Sequence, residues 1–270
     1  MAVALNAVLT SRHDFAPGLS IFRVEPEGWE IQEFHAGQFA VLGLPGSAPR
    51  CPEADPEEEA APPDKLIRRA YSIASSSLER QYLDFYIVLV ESGALTPRLF
   101  ALRPGDKLWL GKKITGMFTL EDIPEGDNLV LIATGTGLAP YISMLRSHLL
   151  HTRQSKVGVL QGARHSWDLG YCKELALVQR DHPNFTYLPS ITRPADEKQP
   201  WHGPTGRIQD IWRTCPFHAH WGFAPSPENT HVLLCGNPAM IETMVGILGD
   251  EGYTEHTKKS PGQIHLERYW

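Results

Sequence analysis

The densest run of chemically useful side chains in this 270-residue sequence is Arg69-Ala70-Tyr71-Ser72. On a strand, alternation puts Arg69 and Tyr71 on one face and Ala70 and Ser72 on the other. A flat aromatic beside a cation and a hydroxyl suits a planar ring that carries a phosphate tail. Tyr71 can stack, Arg69 can pair with phosphate through two N–H groups, and Ser72 can offer a hydrogen bond at the reactive edge. A second group follows the apolar run Leu129–Ala133, which breaks at Thr134-Gly135-Thr136-Gly137 and resumes at Pro140 with Ile142, Leu145 and Leu149 at helical spacing. Strand, glycine turn and helix make a phosphate seat, because glycines let backbone approach an anion and a helix start presents unpaired N–H groups to it. The run is Gly-x-Gly-x-x-Pro, so the third glycine of the dinucleotide fingerprint is absent.

The residue at the end of the next strand reads the ribose of a dinucleotide: an acid bonds the 2′-hydroxyl, an arginine accommodates a 2′-phosphate. Here that strand ends Gln161-Gly162-Ala163-Arg164, Thr192-Arg193 ends the following one, and Arg207 opens a helix after Thr205-Gly206. Arginines without an acid favour NADP(H) over NAD(H). Cys235 ends a further apolar strand, and Gly236-Asn237-Pro238 turns and caps the helix after it. The final residues, Tyr269 and Trp270, are both aromatic, which fits a lid on a planar ligand better than a fraying end.

These groups need two kinds of scaffold. From Leu5 to about Phe118 short β-like runs alternate with Gly and Pro: Leu5–Thr10, Leu19–Val24, Gln38–Leu44, Ile67–Ala74, Tyr82–Val90 and Lys107–Leu110. Such spacing predicts a small antiparallel barrel or sandwich, with one short helix over Thr96–Leu102 opened by Thr96-Pro97 as cap and first turn. Beyond the link Glu121–Asp127 the period changes. Strands at 129–133, 156–161, 185–192 and 231–235 alternate with helices at 169–180, 206–214 and 238–249, which predicts a parallel sheet covered by helices. The expected domains are 1–120 and 121–270.

A 42% hydrophobic content supports real cores. No apolar run approaches the roughly 20 residues that span a bilayer, and the N-terminus lacks the basic-then-apolar order of a secretion signal, so the cytoplasm is the expected location. Neither nucleic acid nor stable membrane association is expected. The four cysteines lie far apart with no Cys-x-x-Cys pair. His148 and His151 are three apart on a helix, and His218 and His220 are two apart in a loop; neither pair has a third ligand, so no metal is predicted. Much of the net charge of −6 sits in one stretch, because 51–64 holds Glu53, Asp55, Glu57, Glu58, Glu59 and Asp64 with four prolines and no Lys or Arg. Such composition predicts a solvated, mobile loop.

Arg69-Ala70-Tyr71-Ser72, Gly93-Ala94-Leu95-Thr96, Ala133-Thr134-Gly135-Thr136-Gly137, Cys235-Gly236-Asn237-Pro238-Ala239-Met240 and Glu267-Arg268-Tyr269-Trp270 occur in this order along the whole chain. Together they resemble the bacterial ferredoxin/flavodoxin-NADP(H) reductases, in particular the subgroup that ends in Tyr-Trp. The acidic 51–64 insertion is the main departure. The resemblance implies an FAD-binding β-barrel followed by an NADP(H)-binding α/β domain, with the flavin at the cleft between them. It implies that Arg69 pairs with the FAD pyrophosphate, that Tyr71 packs on the isoalloxazine beside Ala70, and that Ser72 lies near flavin N5. Ile87, Val88 and Leu89 would line the ring, and Gly93, Ala94, Leu95 and Thr96 would hold the pyrophosphate. Tyr269 would stack on the flavin and Trp270 against the adenine, with Thr136 touching both cofactors. Gly137, Ala163, Arg164, Thr192, Arg193, Arg207, Cys235, Gly236, Asn237 and Pro238 would form the NADP(H) site, with Ser72, Cys235 and Tyr269 nearest the chemistry.

The implied activity is an oxidoreductase that exchanges electrons between NADPH and a one-electron carrier, ferredoxin or flavodoxin, by hydride transfer to flavin N5. Carriers of this kind are usually acidic, and Lys112, Lys113, Arg98, Arg103, Lys107 and Arg268 would supply a docking face on a monomeric enzyme. The rivals are an oxygenase reductase component, a free flavin or quinone reductase, and a non-catalytic nucleotide-binding subunit.

Overall fold

The computed structural model describes residues 4–147 and 149–268, and Tyr269, Trp270 and His148 lie outside them. The chain forms two compact units. One comprises Met1–Thr119 with Ala139–Ser147; the other comprises Leu120–Leu138 with His148–Trp270.

The first unit contains β1 (Ala7–Ala16), β2 (Leu19–Pro26), β3 (Phe39–Pro45), β4 (Leu66–Ser72), β5 (Leu83–Val88), α1 (Thr96–Ala101) and β6 (Lys107–Leu110). The strands are antiparallel in the order β4-β3-β6-β1-β2-β5. An antiparallel bridge between Ile73, just past β4, and Phe85 on β5 joins the two ends of that order. This closes a barrel and leaves no long free edge. Alternate inward residues, including Leu9, Phe22, Leu42, Phe85 and Leu108, fill it, and Leu99 of α1 packs against the same cluster. Truncating one of these to Ala would cost about 2–5 kcal/mol.

The 51–64 stretch forms no strand or helix, as predicted, but it is held rather than loose. Cys51 is buried, and its N–H donates to Pro97 O at 2.9 Å. Glu57 accepts from Arg98 at 2.7 and 3.0 Å and from Arg50 at 3.0 Å. The composition misleads because both arginines lie outside the stretch. Thr96 does not cap α1: the N-cap is Leu95, and Thr96 Oγ1 instead bonds both the N–H and the carbonyl of Val90, closing the loop that leads into the helix.

The remaining elements are β7 (Asn128–Thr134), α2 (Ala139–Arg146), α3 (Leu149–Thr152), β8 (Val157–Ala163), α4 (Cys172–Asp181), β9 (Phe185–Ile191), α5 (Ile208–Trp212), α6 (His218–Trp221), β10 (Thr230–Cys235), α7 (Pro238–Asp250) and β11 (Ile264–Glu267). Five strands make a parallel sheet in the order β11-β10-β7-β8-β9. The fold class is therefore the expected barrel followed by an α/β parallel sheet.

Several details differ from the sequence reading. The helix after the glycine turn stops at Arg146, so Leu149 starts α3 and does not continue the stripe of Ile142. Through contacts such as Ser143 Oγ donating to Ser75 O at 2.7 Å, α2 packs with the first unit. His218 and His220 sit on α6, not in a loop. The helix expected from Leu169 begins at Cys172, after a left-handed residue at Tyr171.

One cluster in the second unit has no sequence signature, because its histidines come from separate strands and a loop. His231 Nδ1 and His265 Nε2 lie 3.0 Å apart, His256 stacks on His265, and Asp127 and Asp122 lie 3.3 and 3.6 Å from His231 and His256. Burial, with His231 and His256 beside it, pushes the His265 imidazole down to about 3 from 6.5. Burial lowers His231 too, against the pull of Asp127. The unfolded chain therefore binds protons that the folded one refuses. Stability is complete above pH 6.5 and declines as the pH falls from there toward 3. His265→Asn should flatten that decline in urea unfolding curves recorded at pH 7 and pH 5. An unchanged pH dependence would show that the cluster does not set it.

Candidate functional site

In the second unit the sheet reverses direction of growth between β7 and β10: β8 and β9 extend one side, β10 and β11 the other. Open α/β sheets bind ligands outside the carboxyl ends of their strands at such a switch point. Here β7 runs into the 3-10 turn Gly135–Leu138, and β10 runs through Gly236 into α7. A Cβ on Gly137 would stand 2.4 Å from Cys235 O. One on Gly236, which has φ +133°, would fall against Thr134 Oγ1 and backbone. Thr134 Oγ1 accepts from Asn237 N at 2.8 Å, and Asn237 caps α7 by accepting from Met240 N at 3.2 Å. The two turns thus press together backbone to backbone, and only glycine fits there.

Further along the same edge the structure gathers the three arginines. Thr192 N donates to Ala163 O at 3.1 Å, Arg193 N to Arg164 O at 2.9 Å, and Gly206 N to Ile191 O at 2.9 Å, which brings Arg207, the N-cap of α5, beside the other two. All three are exposed. Among the described residues none of their guanidinium groups meets a carboxylate. Three exposed cations on a frame of strand ends can take a phosphate carrying two negative charges, and the acids beside them, Asp168, Asp196 and Glu197, are engaged by His165 and Ser166.

Cys235 is fully buried at the end of β10, and its thiol points at Glu267 Oε2 of β11 at 3.8 Å. Glu267 carried no role from the sequence, because the strand that places it, four residues long, gave no periodic signal. Parallel register sets Cys235 opposite Glu267.

In the first unit, Arg69 is exposed on β4, donates to Arg68 O at 2.8 Å, and among the described residues pairs with no carboxylate. Tyr71 is half-buried against the barrel core, and burial pushes its phenol well above the ordinary range despite Arg69 beside it. Ser72 is buried where β4 enters the core, and Ala70 is exposed. From the Ile73–Phe85 bridge, Tyr71 and residues 87–89 run toward the same end of the barrel, since the strands are antiparallel. The structure separates that trio. Val88 is 44% exposed, whereas Ile87 is 1% exposed, so the Ile87 side chain belongs to the core and only its backbone can face a ligand. Leu95 is likewise a core residue.

The amides at the entry of α1 make the second anion seat. Among the described residues the N–H groups of Ala94, Leu95 and Thr96 donate to no protein oxygen, as the first turn of a helix leaves them. Together with Arg69 they fit a pyrophosphate, and Tyr71 and Val88 fit a flat ring: an FAD finds its matching groups here. The proposed sites on Tyr269 and Trp270 lie outside the described residues. Arg98, expected on a docking face, is 2% exposed and ion-paired to Glu57, so it cannot meet a partner. Lys107 pairs with Glu27 at 2.8 Å but stays exposed.

Residues 131–245 match a family model described as the oxidoreductase NAD-binding domain. Over 241 residues the chain is 32% identical to the flavodoxin/ferredoxin–NADP reductase of Escherichia coli K12, covering 89% of each. It is 31% identical over 245 residues to the ferredoxin–NADP reductase of Pseudomonas aeruginosa, covering 87% of this chain and 86% of that one. A ferredoxin NADP+ reductase from Neisseria gonorrhoeae, solved with bound FAD and NADP, superposes with a TM-score of 0.80 at 26% identity, covering 99% of this chain and 98% of the other.

Gly137→Ala should cost about 1–3 kcal/mol of unfolding free energy, the range for forcing a methyl into packed backbone. Gly126→Ala, where no atom lies within 4 Å, should cost nothing measurable. Equal denaturant midpoints for both variants would show that the β7 and β10 turns are not pressed together as described.

Proposed function

We propose a function from the premise that this chain belongs to the flavodoxin/ferredoxin–NADP reductase family. It is an FAD-dependent oxidoreductase that exchanges electrons between NADP(H) and ferredoxin or flavodoxin. The observation that carries the choice of nucleotide is the group Arg164, Arg193 and Arg207, three exposed cations at the ends of β8 and β9 and the start of α5.

When bound, FAD supplies the conversion between a two-electron donor and single-electron transfers. The chain's own residues bind and orient. Arg69 and the amides of Ala94, Leu95 and Thr96 take the FAD pyrophosphate. Tyr71 offers its ring face, Ala70, Val88, Leu89 and the Ile87 backbone border it, Gly93 gives the close approach, and Ser72 presents a hydroxyl. Thr136, Gly137, Gly236, Asn237 and Pro238 seat the NADP(H) phosphates, and Ala163, Thr192 and the three arginines hold the 2′-phosphate. Cys235, its thiol hydrogen directed at Glu267, bounds the nicotinamide pocket with a small, apolar, fixed surface. Transfer of this kind depends on proximity and angle, so Cys235 acts by shape. Tyr269 and Trp270 complete the proposal as a lid over the flavin and adenine, as do a monomeric form and the cytoplasm.

Two measurements test this. Purified protein should be yellow and should reduce added ferredoxin or flavodoxin with NADPH; a colourless protein that does neither overturns the assignment. Arg164→Ala or Arg207→Ala should raise KM for NADPH by about tenfold or more, the worth of one charge-assisted contact, and leave KM for NADH nearly unchanged. Equal effects on both nucleotides would remove the 2′-phosphate role.

A further inference from the structure

A six-residue helix cannot hold its own start rigid, yet the three free amides at the entry of α1 must point one way to bind an anion. The carbonyls of the same segment are tied from behind by residues that open the acidic insertion and by Arg98 within α1 itself. Arg50 donates to Gly93 O at 3.0 Å, to Glu91 O at 3.2 Å and to Asp55 O at 2.7 Å. Asp55 N donates to Glu91 O at 3.1 Å and Cys51 N to Pro97 O at 2.9 Å. Arg98, from within α1, donates to Ala94 O at 2.7 Å and to Gly46 O at 2.8 Å.

In a trans peptide the C=O and the following N–H point in opposite directions across one plane. Arg50 on Gly93 O therefore aims the Ala94 N–H away from the strap, and Arg98 on Ala94 O aims the Leu95 N–H the same way. Thr96 Oγ1, bonded to Val90 N at 3.0 Å and Val90 O at 3.1 Å, closes the far side of the loop. Both arginines are organised by one carboxylate. Glu57 accepts from Arg98 through both oxygens and from Arg50 through one, and these contacts hold its carboxyl below the usual range. Without Glu57, the Arg98 guanidinium would be a buried charge with carbonyls alone for company, and the ties would loosen.

We propose that Glu57 is a positioning residue for the FAD pyrophosphate: residues 50–57 form a strap that, through Arg50 and Arg98, presets the amides of Ala94 and Leu95. The insertion is then part of the cofactor site of this chain, with its remaining acids, Glu53, Asp55, Glu58, Glu59 and Asp64, exposed to solvent. The proposal rests on the FAD-binding function above and is tested separately from it.

Glu57→Gln keeps the side-chain shape and removes the charge. FAD release from the holoenzyme, followed by the rise in flavin fluorescence on dilution, should be about tenfold faster, as expected for losing one charged contact. The melting temperature of the FAD-free protein should fall, because Arg98 loses its buried counter-charge, but KM for NADPH at saturating FAD should stay near wild type, which a general loss of structure would not allow. Glu58→Gln should release FAD at the wild-type rate. Wild-type release from Glu57→Gln, or faster release accompanied by a raised KM for NADPH at saturating FAD, overturns the strap while leaving the family function standing. A wild-type protein that binds no FAD overturns the function itself. Should Glu57→Gln fail to fold, Arg50→Met removes the Gly93, Glu91 and Asp55 ties together with the Glu57 pair and leaves the Arg98–Glu57 pair in place; unchanged FAD release in that variant also overturns the proposal.

Discussion

Two backbones in contact set the second unit's chemistry. The turn after β7 and the turn after β10 meet where Gly137 faces Cys235 O and Gly236 faces Thr134. Hydrogen bonds between parallel strands would allow larger residues at these turns, but the turns would then stand apart and the switch point would widen. With glycine at both places, Asn237 N reaches Thr134 Oγ1, α7 starts directly above β10, and the Cys235 thiol is sealed beside Glu267. Dispersion and exclusion of water at this seam fix the backbone of Gly137, Gly236 and Asn237.

The first unit solves its problem with charge. An arginine that is 98% buried is costly unless each donor finds an acceptor, and losing a partner from such a pair typically costs about 3–5 kcal/mol. Arg98 meets that demand at its two terminal nitrogens with Glu57, Ala94 O and Gly46 O, while its Nε is left without an acceptor, so three separate segments of chain are drawn to one cation. The barrel core would survive without this knot, because its apolar cluster is continuous from Leu9 to Leu108. What the knot adds is a defined path for residues 91–94, which are exposed or half-buried ahead of the buried Leu95, Thr96 and Pro97.

The sequence made the sheet legible because both periods are clean there: inward residues alternate in the barrel, and unbroken apolar runs such as Leu129–Ala133 mark strands covered on both faces. The turns were legible through their glycines and prolines. Side-chain partners were not. Nothing in the composition of 51–64 shows that Glu57 lies on Arg98, because the partner is 41 residues away and an acidic, proline-rich stretch reads as solvated. The same blindness placed Arg98 on a docking face, hid Glu267 on a four-residue strand, and missed the His231–His265 contact, whose partners are 34 residues apart. The resemblance put Ile87, Val88 and Leu89 along the ring together, and counting along β5 cannot tell which of them has its side chain in the core until Phe85 is seen inside the barrel.

The charge count changes meaning once partners are known. Six acids in fourteen residues suggest a strong negative field over the first unit, one that would oppose an acidic electron carrier. Arg50 and Arg98 offset part of it at short range, and Glu57 is spent on both of them. What remains, Glu53, Asp55, Glu58, Glu59 and Asp64, is exposed to water, where screening reduces its reach to about 8 Å at physiological salt. The same screening acts on the exposed Lys112, Lys113 and Arg103, so a carrier meets the field of the charges nearest its point of contact. Burying one acid as a structural counter-ion while leaving the others solvated thus lets the insertion brace a cofactor segment without closing the enzyme to an anionic partner.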